Sequence, residues 1–159
     1  MMIKNIKSIL VITLPILLLS CGFKPIHLKN EKLINIQNIS IEGERRSAYF
    51  LKNGILLISD TDSKKIYDII IKVTKQKNNK IKNKTGKITR YTLLLTAEIE
   101  LKNLDNNIKI KKTFARNADY NVSTAHSGTI NNENNTTKSI IQLLLGDIVN
   151  FITLSVRDR

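Results

Sequence analysis

Cysteine is nearly missing from this chain. Cys21 stands alone among 159 residues, so no internal disulfide can form and the core must hold by packing. Histidine is almost as scarce. His27 and His126 are the only two, and no pair has metal-ligand spacing. No glycine-rich phosphate loop occurs. Carboxylates are few and scattered, 13 Asp and Glu against 26 Lys and Arg. Glu98 and Glu100 fall on the outward face of a strand pattern, and the neighbours His126 and Ser127 do not by adjacency make a triad. These shortages argue against catalysis, a bound metal and a cofactor, and no catalytic residue is assigned. Aromatics are also few, at 5%, which leaves Ile and Leu to carry the core.

What is present begins with a leader. Lys4 and Lys7 precede an apolar run over residues 9–19, which ends in Leu18-Leu19-Ser20-Cys21. A basic start, an apolar stretch and a small residue before a cleavage point make an export signal. The apolar run falls short of the ~20 residues a spanning helix needs, and Pro15 interrupts it. Leu18-Leu19-Ser20-Cys21 resembles the lipobox of bacterial lipoproteins, in which the Cys thiol is lipidated and the chain is cut just before it. The expected organisation is a signal peptide at 1–20, a lipidated tether at 21–32 and one domain at 33–159. Cys21 is the expected lipid attachment site. A single acyl chain anchors only marginally. The resemblance implies three, so the mature protein is expected to stay on a membrane surface without crossing it.

The chain carries net charge +13. The leader contributes Lys4 and Lys7 and no acid, so the mature part keeps +11. An excess of this size points to an anionic partner. Export argues against nucleic acid and leaves anionic lipid or an acidic protein surface. The richness in Lys, Asn and Ile of an AT-rich coding sequence is the competing explanation.

Hydrophobic periodicity then orders the elements. Residues 33–41 read as a strand whose apolar parity switches from Ile34 and Ile36 to Ile39 and Ile41, which predicts a bulge or turn near Asn38. Residues 45–59 suit a helix, with Ala48, Leu51, Ile55 and Ile58 on one stripe and Gly54 as a weak point. Residues 65–74 alternate as a strand. Residues 75–87 have no apolar period, and they read as a basic, mobile hairpin loop. Residues 88–101 form a long strand with Leu93, Leu95, Ala97, Ile99 and Leu101 on one face. Asp105-Asn106-Asn107 supplies a turn into a strand over 108–120. Residues 121–132 read as a polar loop, after which Thr136 or Thr137 caps a final helix to about residue 156, with Gly146 as an interior flaw. The expected fold is α+β, a two-layer sandwich with two helices packed on a mostly antiparallel four-stranded sheet.

Cations are the best lead to function. Lys84, Lys87 and Arg90 crowd the predicted hairpin, and Arg116 lies on the next strand. Such side chains bind phosphate or carboxylate through charge-assisted hydrogen bonds. These four are the candidate anion contacts.

Cys21-Gly22-Phe23-Lys24-Pro25 resembles the mature start of lipopolysaccharide-assembly lipoproteins, the LptE family. Arg90-Tyr91-Thr92-Leu93, the stretch Ala115-Arg116-Asn117-Ala118-Asp119-Tyr120-Asn121-Val122 and the ending Gly146-Asp147-Ile148-Val149 resemble its alphaproteobacterial branch. Ile26-His27 stand where the family has Leu-Tyr. The resemblance implies a non-catalytic lipoprotein on the periplasmic face of the outer membrane. Such a protein plugs and helps assemble the LptD β-barrel translocon, and takes part in inserting lipopolysaccharide into the outer leaflet. It also implies direct binding of lipopolysaccharide, whose phosphates and carboxylates suit the basic residues. The alternative is a structural or scaffold lipoprotein whose basic surface grips anionic envelope components or a periplasmic protein.

Overall fold

The computed structural model describes residues 34–157. Cys21, the leader and the tether lie outside the described residues. Six elements follow in order: β1 (Asn35–Gly43), α1 (Arg45–Leu56), β2 (Ile66–Lys82), β3 (Ile88–Asn103), β4 (Lys109–Asn121) and α2 (His126–Arg157). The strands form one sheet in the order β1-β2-β3-β4. β1 runs parallel to β2, and the other two pairs are antiparallel. Only the parallel pair needs a crossover, and α1 supplies it. The α+β sandwich with two helices on a mostly antiparallel four-stranded sheet is therefore the fold.

The parity switch in β1 has a local cause. The register with β2 slips between Ile36 and Asn38, so Gln37 is the extra residue of a bulge. The bulge turns Ile34, Ile36, Ile39 and Ile41 all toward the helices, where they join the core. β1 ends at Gly43, with φ +83°, where an added Cβ would sit 2.1 Å from the Val73 carbonyl oxygen, so only glycine fits. The next residue, Glu44, caps α1. Its carboxylate accepts from the backbone N–H of Arg46 at 3.3 Å and of Ser47 at 2.8 Å.

The core lies between the sheet and the two helices. Ala48, Leu51 and Ile55 of α1 and Ile140, Leu144, Ile148 and Ile152 of α2 bury against Ile69, Ile71 and Val73 of β2 and the Leu93–Leu101 alternation of β3. Gly54 proves to be a seat. The Leu145 methyls lie where its Cβ would go, at 2.4 and 2.7 Å, so the missing side chain admits α2. α2 is long and apolar enough to cross a membrane by composition, yet its apolar stripe is buried on the sheet, as in a core helix.

Two sequence expectations need correction. Residues 75–82 are not a loop. β2 continues through them to Lys82, paired with β3 as far as Ile88, and the connection shrinks to residues 83–87. Backbone pairing imposes no apolar period where no helix core lies beneath. Similarly, α2 starts at His126, about three turns before Thr136. Thr137 is interior to it, its hydroxyl donating to the Glu133 carbonyl at 2.8 Å.

Candidate functional site, the basic hairpin arm

The β2–β3 hairpin extends beyond the apolar core as a two-stranded arm whose tip is built by Asn83. The Asn83 Oδ1 accepts from the Thr85 N–H at 3.0 Å, the Thr85 hydroxyl at 2.8 Å and the Lys87 N–H at 2.9 Å. The Asn83 N–H donates to the Lys87 carbonyl at 2.9 Å, and Gly86 takes φ +81°. This closed turn holds Lys84 and Lys87 on a short exposed loop with Lys82 at its root. Among the described residues none of these three lysines forms an ion pair.

Arg90 stands further down the arm, its Nε donating to the Asn121 Oδ1 on β4 at 2.9 Å. That bond uses one face of the guanidinium and leaves the other donors available. Lys84, Lys87 and Arg90 are thus brought to one end of the molecule. Arg116 is not with them. It sits five residues along β4 from Asn121, about 16 Å at strand rise, and opposite Leu95. It makes a two-pronged bond to Asp147 of α2, Nε to Oδ2 at 2.8 Å and Nη2 to Oδ1 at 3.0 Å. This hydrogen-bonded pairing holds the Asp147 carboxyl below the usual range. Arg116 joins β4 to α2, its fork already filled by a carboxylate.

Below the tip, sequence reasoning missed a polar cluster. Lys75 and Lys77 continue the helix-facing parity of Ile71 and Val73, and Glu133 of α2 reaches down to both, at 2.9 Å each. The Tyr120 hydroxyl donates to the same carboxylate at 2.9 Å. Tyr120 stacks on Tyr91, with ring centres 5.5 Å apart, and the Lys77 ammonium lies 4.3 Å above the Tyr91 ring. The bonds from Lys75 and Lys77 push the Glu133 carboxyl down to about 2. Hydrogen bonding to Tyr120 and Glu133 raises the Lys77 ammonium, and burial raises the Tyr120 phenol. Asp119 takes the Lys80 ammonium, and the Thr92 hydroxyl at 2.7 Å. The signal was available in part, since unbroken strand parity carries Lys75 and Lys77 onto the covered face. Glu133 could not be assigned to them while α2 was taken to begin at Thr136.

The arm's middle lysines, Lys75, Lys77 and Lys80, are paired with Glu133 and Asp119, whereas Lys82, Lys84 and Lys87 remain without acidic partners among the described residues.

No family model matches the chain, and no curated protein matches it by sequence. The fold is shared with a candidate lipoprotein from Caulobacter crescentus CB15, at TM-score 0.58 and 12% identity, covering 82% of this chain and 96% of that one. Rare lipoprotein B from Shewanella oneidensis matches at TM-score 0.54 and 14% identity, over 74% of this chain and 95% of that chain. A minor lipoprotein from Acinetobacter baumannii matches at 0.52 and 15%, over 76% and 93%. The chain thus has the α+β fold of solved bacterial lipoproteins.

Proposed function

We propose that this protein is a lipid-anchored lipoprotein on the periplasmic face of the outer membrane, acting without catalysis. It plugs and helps assemble the LptD β-barrel translocon, and it binds lipopolysaccharide through the hairpin tip. The observation that carries the reading is a conjunction: a chain with a lipobox cysteine at Cys21 folds as solved bacterial lipoproteins fold. The LptE resemblance supplies the barrel partner. Lys82, Lys84 and Lys87, without acidic partners among the described residues, and Arg90 beside them offer an anion contact of the kind phosphorylated lipid A requires.

Mild-detergent recovery of the intact acylated protein from its own envelope, with mass spectrometry of the co-purifying chains, tests the partner. One large outer-membrane barrel at near one-to-one is expected. Recovery of the lipoprotein alone, or with periplasmic proteins only, rejects the plug reading.

A further inference from the structure

The sheet has two edges, and they differ. β1 carries the bulge at Gln37 and ends at Gly43. A bulge protects an edge against pairing with another chain. β4 is 13 residues long, contains no proline and keeps an unbroken register with β3. No strand lies beyond it among the described residues. Along such an edge, backbone groups point alternately to the neighbouring strand and to the outside. The Asn103 N–H donates to the Ile108 carbonyl and the Val122 N–H to the Thr89 carbonyl, so the even-numbered residues of β4 bond inward. Lys109, Lys111, Thr113, Ala115, Asn117 and Asp119 therefore turn their N–H and C=O groups outward. The Asn121 carbonyl, on the same parity, is taken by the Asn132 side chain at 2.9 Å.

The edge is complementary to itself. Laid antiparallel against a second copy about Ala115, Lys109 meets Asn121 and the whole of β4 pairs with the whole of its copy. Lys111 then faces Asp119 of the second copy on the open face of the sheet, and the two-fold repeats the pair. Lys111 already pairs with Glu100 and Asp119 with Lys80, so the row Glu100, Lys111, Asp119, Lys80 alternates in sign across the seam. On the helix face Lys112 meets Ala118, Phe114 meets Arg116 and Ile110 meets Tyr120, with no like charges opposed. Lysines on an edge ordinarily repel a copy, and the register decides whether they do. Sliding the copy until Lys109 faces Asp119 sets Lys112 against Arg116, which is repulsive. A shallow cleft between β4 and α2, with Phe114, Phe151 and Leu154 in its wall, flanks the edge. Leu154 is 59% exposed. Because α2 packs on β3 and β4, the two-fold sets the two α2 helices side by side over the joined sheet, which shields these side chains.

We infer that the outer edge of β4 is a self-association surface. It joins two copies of this chain antiparallel about Ala115 into one continuous sheet, with four strands from each copy. The inference concerns the free acylated chain and does not rest on the plug reading.

The test uses the full acylated chain in mild detergent, with single cysteines at exposed positions on the open face of β4. In a hydrogen-bonded antiparallel pair the Cα atoms stand about 5.5 Å apart, within disulfide reach. Ala115→Cys should give a disulfide-linked dimer on mild oxidation. Thr113→Cys and Asn117→Cys should each stay unlinked alone and link when co-expressed, because Thr113 lies opposite Asn117 of the second copy. Wild type controls for linkage through Cys21, the one native cysteine. Light scattering should give wild type as a dimer and Ala115→Pro, which removes one outward N–H, as a monomer with its fold retained by circular dichroism. Linkage of all three single variants alone would show crowding in the micelle in place of this register, and would overturn the inference. Absence of linkage at Ala115, whatever the mass of wild type, would overturn it too. Recovery of a barrel from the envelope, or its absence, bears on the plug reading alone.

Discussion

Glu133 is the residue that ties the arm to the domain. One carboxylate accepts from Lys75, Lys77 and Tyr120, from two strands, while belonging to a helix. Its carboxyl is held at about 2 in the fold against an ordinary 4.5. The folded state thus binds this proton less readily than the unfolded chain does. The stability it contributes is fully present above about pH 5 and drains away as pH falls from 4.5 toward 2. Glu133→Gln should cost about 1–3 kcal/mol at neutral pH. Melts of wild type and variant across pH 2–7 should converge at the acid end. A gap between them that does not narrow there would show that the carboxylate's charge is not the stabilising feature. Tyr120→Phe removes one donor and leaves both lysines, so its cost should be smaller, about 0.5–1.5 kcal/mol. At this scale the sequence was least legible. Lys75 and Lys77 are explained by a residue 58 and 56 positions further along the chain, and no local pattern names such a partner.

The elements were legible where one face meets the core. The alternation of β3 and the parity switch of β1 each map onto the structure, because burial selects apolar residues at a fixed period. They were illegible where polar contacts replaced the core, at the end of β2 and the first three turns of α2. There, Asn132 donates to the Asn121 carbonyl at 2.9 Å and Thr129 accepts from the Ser123 N–H at 2.9 Å, bonds that any polar loop could seem to carry. Gly54 and Gly146, alike in sequence, separate here. Gly54 seats Leu145, whereas a Cβ on Gly146 would meet nothing within 4 Å. Gly146→Ala should therefore stabilise the domain by about 0.5–1 kcal/mol, since it removes only backbone freedom. In denaturant titration the midpoint should rise with no change in slope. Deleting Gln37 should do the reverse. Without the extra residue, Ile34 and Ile36 cannot share a face with Ile39 and Ile41, and either pair must turn to solvent. A deletion that melts at the wild-type temperature would show that the bulge does not set the register.

At the scale of the whole molecule, the net charge is distributed in a way that composition could not reveal. Acidic side chains pair with cations in the middle of the arm, on the open sheet face and at the β4–α2 seam. Lys84 and Lys87 at the hairpin tip have no acidic partner among the described residues, whereas Arg116, at a separate place on the fold, is held by Asp147. Separate places predict separable losses. Lys84→Glu with Lys87→Glu should weaken binding of lipopolysaccharide and flatten its dependence on salt, because displaced counterions and screened attraction both scale with the number of cations engaged. The same pair should leave the thermal melt unchanged, since neither lysine has an ion-pair partner among the described residues to lose. Arg116→Gln should behave in the opposite way. It breaks the fork to Asp147, so the melt should fall while lipopolysaccharide affinity and its salt slope hold. Binding measured over a salt series, alongside melts of the same preparations, separates the two. If Arg116→Gln weakens binding as much as the tip pair does, the anion site extends down β4 and the tip is only part of it. If neither changes binding, the excess lysine has no role in lipopolysaccharide recognition, and coding bias becomes the better account of the charge.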